Sequence, residues 1–315
     1  MISINDNVTR YIDEILDREE ELNVKSYYLE NQATVIDCGV NAVGSIGAGI
    51  LYAMVSLGGF GKISMVPGII DDYYLHFSQV YIDSPYLACL GSQKPAWKLK
   101  IEGYTGTAFG PARAISQKPK ALYSAIDYTD DSETAIINIE SQALPGEKEI
   151  DFIAKQCSTD PECVVALVAK PNSIAGSIVN STRTVEWVLN RLYQLGYDTR
   201  NITSASSATP IAPVMSGEQE SMGVSFDSIA YYGMAFLYAK CQDERFKDAV
   251  SASSKNYGKG FLSIMKESQG DYSKVDPAMF TTARLTVNGL EDGITKGYGK
   301  LNPSMLMTSY GLKNI

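Results

Sequence analysis

The sequence predicts a mixed α/β (α+β) fold in two domains, on three observations. Strand-like and helix-like hydrophobic periods alternate through the middle of the chain. At 315 residues the chain exceeds the length that one hydrophobic core usually supports. Its composition, 45% hydrophobic and 20% charged, is that of a water-soluble globular protein.

The elements follow in order. The opening "MISINDNVTRYIDEILDREEELNV" reads as a helix rather than a signal peptide, with Asn5 or Asp6 as its cap and Val8, Ile12, Ile15 and Leu16 as its apolar stripe. Next come strand-like segments: "ATVIDCGV", "GKISMVPG", "YYLHFSQVYID" and "WKLKIEGY". Then "TAIINIES" predicts a strand, "EKEIDFIAKQC" a helix, "CVVALVAK" a strand, and 174–195 one long helix closed by Gly196. A stretch from Ser221 to Cys241, with only Asp227 and Lys240 charged, reads as a buried helix. The segment 282–299 predicts strand, turn and strand, and Pro303 opens a last helix. The loop "ALPGEK" at 143–148 is the best candidate boundary, giving domains 1–145 and 146–315.

Charge and composition narrow the chemistry. A formal net charge of −9 disfavours nucleic acid as the main partner, yet leaves room for an anionic small ligand held by local cations. Five scattered cysteines form no zinc pattern and suit a reducing, cytoplasmic setting. The uncharged run from Cys38 to Gly61 is too broken by glycine and polar residues for a membrane span, and predicts a buried element with close backbone contacts. His76, the single histidine, lies on one face of a strand, with no nucleophile motif to serve. The glycine-rich "GVNAVGSIGAGILYA" lacks the Gly-Lys-Ser/Thr of a P-loop and a clean dinucleotide frame. In "FGPARA" (109–114), Arg113 could meet an anion, or could simply lie in a turn that leads into a helix.

The helix at 174–195 carries the most chemistry. Val185, Val188, Leu189 and Leu192 share a face, placing Glu186 about 120° from its centre and Arg183 roughly opposite it. Arg183 and Glu186 are three apart and therefore neighbours. One reading is an exposed ion pair worth about 0.3–0.5 kcal/mol. The other is a base beside its tuning cation. The small residues of "SIAGSIVNS" just upstream would admit a ligand or another backbone.

Across nearly its whole length the chain resembles the methenyltetrahydromethanopterin cyclohydrolases of archaeal-type one-carbon metabolism. The resemblance is carried by "TVIDCGV" (34–40), "QKP" (93–95) with Trp97, "GPARA" (110–114) and "SIAGSIVNSTRTVE" (173–186). It continues in "PIAPV" (210–214), "YGKGF" (257–261) and "DPAMFTTARLTVN" (276–288). The resemblance implies reversible hydrolysis of 5,10-methenyl-tetrahydromethanopterin to the 5-formyl derivative, with no metal or redox cofactor. It implies Glu186 as general base on water and Arg183 as the cation that keeps it ionised. A long cleft between two domains would hold the pterin and its anionic tail, with Lys94, Arg113 and, more weakly, Arg284 as contacts. A cytoplasmic homotrimer is expected.

The chain also departs from the family pattern. Phe109 stands where a serine is expected before "GPARA", Phe226 precedes Asp227 where asparagine is usual, and Ser84 replaces a common histidine in "DSP". A glycine is missing from "SATPIAPV", and the proline expected just before Ala283 is absent. These changes leave open an altered specificity, or a homologue that binds a pterin without turning it over.

Overall fold

The computed structural model describes residues 2–312. In chain order the helices are α1 (Ile4–Asp17), α2 (Glu19–Leu22), α3 (Ile46–Ser56), α4 (Ala112–Ser116), α5 (Lys120–Ile126) and α6 (Glu147–Cys157). They continue with α7 (Ile174–Ser181), α8 (Thr184–Gln194), α9 (Glu218–Tyr232), α10 (Phe261–Glu267) and α11 (Pro303–Ser309). The strands are β1 (Lys25–Tyr28), β2 (Thr34–Gly39), β3 (Gly61–Ile70), β4 (Tyr73–Asp83), β5 (Trp97–Ile101) and β6 (Tyr104–Phe109). After them come β7 (Ala135–Glu140), β8 (Val164–Ala169), β9 (Ile202–Pro210), β10 (Met234–Ala239), β11 (Arg284–Gly289) and β12 (Thr295–Gly299).

The chain divides into two compact units, and neither is continuous in sequence. One combines the stretch up to Lys62 with Leu87–Val179, the other Ile63–Tyr86 with Asn180 onward. The 143–148 loop therefore lies inside the first unit instead of ending it. The reason is pairing: β7 and β8, which flank the loop and α6, are parallel neighbours in one sheet.

The first unit is built on a mixed sheet in the order β1-β2-β8-β7-β6-β5. Its centre is parallel, β2 with β8 and β8 with β7, and its margins are antiparallel. Ala135, Ile137 and Ile139 of β7 pack with Ile150, Ile153 and Ala154 of α6. Successive residues of a strand point to opposite faces, so Asn138 is directed the other way, where its Nδ2 donates to Tyr52 O of α3 at 2.9 Å. Burial on both faces explains why "AIINI" and "VVALVA" read as apolar runs rather than alternations.

Close helix packing explains the uncharged run. A side chain at Gly49 of α3 would sit 3.1 Å from Ala175 Cα and 2.8 Å from Ile178 Cδ1 of α7. Gly176 faces the Lys170 carbonyl oxygen, which a Cβ would meet at 2.0 Å. The small residues of this motif thus admit another backbone. At the start of the chain Ser3, not Asn5 or Asp6, caps α1 by accepting from Asp6 N–H at 3.0 Å. Asn5 is buried and donates its amide to Asp130, and Leu16 is only partly covered.

The second unit carries a sheet in the order β12-β11-β10-β9-β4-β3. Helices α8 and α9 lie against β9, with α10 and α11 stacked on α9. The opposite side of that sheet presents Tyr81 and Tyr238, 54% and 43% exposed. The stretch 221–241 is a helix followed by a strand, because α9 stops at Gly233, which leaves the helical region at ψ 135°. An apolar run alone cannot separate a buried helix from a buried strand. Among the described residues no helix is long and apolar enough to cross a membrane.

Candidate active site

The expected long helix is two helices. The α-helical ladder lapses at Thr182–Arg183, where Arg183 N–H bonds to Asn180 O, and α8 restarts at Thr184. Ser181, Thr182 and Thr184 supply hydroxyls that compete for backbone groups, and Thr184 Oγ1 donates toward Ser181 O at 3.5 Å. The break changes the position of both candidate residues. Arg183 becomes the N-cap of α8, and Glu186 becomes the third residue of its first turn. The positive end of the helix dipole there favours a carboxylate.

Both side chains are buried. Arg183 and Glu186 are each 2% exposed, which removes the surface ion-pair reading. Val185, Val188, Leu189 and Leu192 are fully buried as the periodicity predicts, and the polar side of the helix is covered as well. Asn180, Ser181 and Thr182 are also buried, so the whole Asn180–Glu186 stretch lies away from solvent. Burying a carboxylate and a guanidinium three residues apart costs several kcal/mol of solvation per ion before they interact. Such arrangements concentrate at functional sites.

Two features of the second unit hold α8 in place, and sequence reasoning passed over both. Thr184 Oγ1 lies 2.5 Å from Thr209 Oγ1 of β9, tying the first turn of the helix to the sheet. Trp187 sits edge-on to Phe226 at 5.1 Å and to Phe280 at 5.8 Å. Phe226 in turn packs on Phe261 at 4.4 Å, and Phe261 lines a cavity of about 420 Å³ with Met222, Met265 and Tyr272.

Asp227, the neighbour of Phe226, is 3% exposed. Its carboxyl accepts from Phe261 N–H at 3.0 Å and from Ser309 Oγ at 2.6 Å. Burial pushes its pKa up to about 7, against the opposing effect of those two bonds. Tyr231, one helical turn on, receives Gly258 N–H and donates to Lys259 O at 2.6 Å. Together Asp227 and Tyr231 clamp the "YGKGF" segment onto α9.

The other predicted residues fall in different places. Arg284 is exposed on β11, donates to Gly299 O at 2.9 Å, and borders a groove of about 270 Å³ with Gln79, Tyr81 and Phe236. It shares the second unit with Arg183 and Glu186, whereas Lys94 and Arg113 belong to the first. Lys94 is partly buried just past a π-helical segment, Tyr86–Gln93.

Arg113 is fully buried and serves that segment. Its Nη1 donates to Ser92 O at 3.0 Å and to Leu90 O at 3.3 Å, and its Nε donates to Lys118 O. Tyr123 OH completes the set by donating to Gly91 O at 2.6 Å. A π-helix leaves carbonyl groups poorly matched, and Arg113 answers them. Its geometry is that of a scaffold residue, with no accessible surface to offer a substrate.

The glycine-rich stretch is likewise accounted for internally. A register shift in β2 at Asp37/Gly39 turns the buried Asp37 carboxylate toward the following loop. There it accepts the N–H groups of Gly39, Val40, Asn41 and Ala42 at 2.6–3.0 Å. These donors, which a bound phosphate would need, are taken by the protein's own acid.

Phe109, one of the departures, is fully buried in the first unit, its ring edge-on to Tyr52 at 5.9 Å. Ser84 takes a left-handed backbone with φ 56°. His76 is exposed on β4, edge-on to the Tyr74 ring.

Comparison with known proteins adds a family to this geometry. The family model described as Cyclohydrolase (MCH) matches residues 3–310. Relatives named methenyltetrahydromethanopterin cyclohydrolase match from end to end. Those of Methanococcoides burtonii and Methanocella arvoryzae are 37% and 38% identical, with all of both chains covered. That of Methanosarcina barkeri is 39% identical over the same full extent.

Proposed function

Since the chain belongs to the methenyltetrahydromethanopterin cyclohydrolase family, we propose that it hydrolyses 5,10-methenyl-tetrahydromethanopterin reversibly to 5-formyl-tetrahydromethanopterin. Glu186 is the general base and Arg183 its tuning cation. The observation that carries this reading is the burial of both groups at the start of α8, where each is 2% exposed.

The substrate's methenyl bridge is an amidinium-like cation whose carbon is already electrophilic. The protein's main task is to orient a water molecule and take its proton, a contribution of about 10²–10⁴-fold for a well-placed base. Glu186 removes one proton as the water oxygen bonds to the bridge carbon. The bond from that carbon to nitrogen 10 then breaks, and Glu186 returns the proton to the departing nitrogen. Loss of the remaining hydroxyl proton to solvent leaves a formyl group on nitrogen 5, so the reaction consumes one water and releases one proton. A guanidinium and a helix N-terminus both favour negative charge at Glu186, opposing the cost of its burial. A negative site also suits a positively charged reacting carbon.

The remaining assignments are Lys94 and Arg284 as cations for the anionic tail, with Arg113 kept to the scaffold role that its hydrogen bonds describe. The reading includes a cytoplasmic homotrimer in one-carbon metabolism and methanogenesis, working without metal or redox cofactor. The direct test is Glu186→Gln, followed through the methenyl-pterin absorption. Turnover should fall to near zero while substrate still binds. Activity at the level of the unmodified protein would remove Glu186 from the mechanism. Binding without hydrolysis by the unmodified protein would select the non-catalytic pterin-binding reading instead.

A further inference from the structure

We propose that Phe226 is a positioning residue for Glu186, acting through Trp187. The inference rests on the assignment of Glu186 as the base.

Glu186 has Val185 on one side along the helix and Trp187 on the other, each about 100° around the axis. Val185 is fully buried. Trp187 and Thr184 are three apart and share one side of α8, and they hold it at two points. At the first, Thr184 meets Thr209 at 2.5 Å. At the second, the Trp187 ring is wedged against Phe226 and Phe280.

Phe226 makes the shortest ring contact to Trp187, at 5.1 Å, and also lies 4.4 Å from Phe261 and 6.2 Å from Phe280, which itself meets Trp187 at 5.8 Å. It joins the indole to the aromatic wall beside α10. Together with Arg191, whose Nε donates to Asp248 O at 3.2 Å from the same side of the helix, these anchors set the rotation of α8 about its axis. A helix with its side chains has a radius of about 5–6 Å, so a turn of roughly 10° carries a side-chain tip about 1 Å. A displacement of that size in a reacting group costs on the order of 100-fold in rate. Edge-to-face aromatic packing has a preferred geometry, which an aliphatic residue of similar volume does not reproduce.

The test compares Phe226→Leu with the ring-conserving Phe226→Tyr. The expected result is a kcat about 10-fold lower for Phe226→Leu, with KM within about twofold, since the carboxylate acts in the transition state rather than in ground-state binding. Phe226→Tyr should recover most of the loss. In a Trp97→Phe background, where Trp187 is the only indole, Phe226→Leu should also shift the emission to the red as the ring loosens. Unchanged kcat in Phe226→Leu overturns the inference, and so does a rise in KM at constant kcat. If Phe226→Leu does not fold, the same readouts on Phe226→Met decide. Wild-type turnover by Glu186→Gln is a different failure: it overturns the catalytic reading itself, and this inference falls with it. Loss of turnover in Glu186→Gln with full turnover in Phe226→Leu refutes the positioning role alone.

Discussion

Replacing Asp227 with asparagine should stabilise the protein above pH 7, by a smaller amount near pH 5, and leave it nearly unchanged only near pH 3. The carboxyl is buried, accepts one N–H and one hydroxyl, and has its pKa raised from the ordinary 3.8 to about 7. A raised pKa means that the folded state binds the proton more tightly than the unfolded chain does. Between roughly pH 4 and 7 the native protein therefore holds more protons than the unfolded one, and stability falls as pH rises. The contribution is fully present below the unfolded value and lost by the time pH passes the folded one.

A separation of about 3 on the pH scale, at 1.36 kcal/mol each, gives roughly 4 kcal/mol as the upper size of that loss. Asparagine keeps an oxygen for Phe261 N–H, and Ser309 Oγ can accept from its amide instead of donating. The asparagine variant never ionises, so relative to wild type it should gain roughly half to all of that amount at pH 8. For a unit of this size the gain corresponds to about 5–12 °C in Tm. Thermal unfolding of both proteins across about pH 3 to 8 measures it, with amide exchange at residues 257–262 as the local readout. Parallel stability curves for the two proteins would refute the reasoning, as would a variant destabilised equally at both ends.

Further outcomes follow from the same structure. On the proposed assignment of Glu186 as base and Arg183 as its tuning cation, Arg183→Met should lower kcat by about 10–100-fold while the protein remains folded; steady-state kinetics with a circular-dichroism control decides. Arg113→Met leaves the Leu90, Ser92 and Lys118 carbonyls short of a donor and should cost on the order of 3 kcal/mol, read as a lower midpoint in urea. Asp37→Asn keeps the shape of the loop but loses charge-assisted bonds to four N–H groups, a loss of about 2–3 kcal/mol by the same measurement. Added phosphate should not protect that loop from amide exchange, since the carboxylate already holds its donors.

The local grammar of the fold was legible residue by residue. The helix predicted from "EKEIDFIAKQC" is α6, Glu147–Cys157, and the strand–turn–strand at 282–299 contains β11 and β12. Periodicity and turn residues act over a few positions, so sequence carries them directly. The long helix was misread because hydroxyl-bearing residues at 181–184 weaken the ladder at one turn without disturbing the apolar spacing on either side. The domain division was misread because it depends on which strands pair. β2 lies beside β8, and β4 beside β9, each pair joining residues more than a hundred positions apart.

For the candidate site, the sequence by itself singled out Arg183 and Glu186 by type, spacing and family likeness, but left open whether they face water. Only the tertiary structure decided that both are buried, and that Arg113, attractive as an anion contact, is committed to three carbonyl groups. It also supplied the partners of Asp227, already read as lying in a buried helix: Phe261 N–H and Ser309 Oγ, both distant in sequence. Spacing along a chain sets which side chains are neighbours on one helix. What covers the far side of that helix is set by elements distant in sequence, and that cover is what separates a buried charged pair from a surface one.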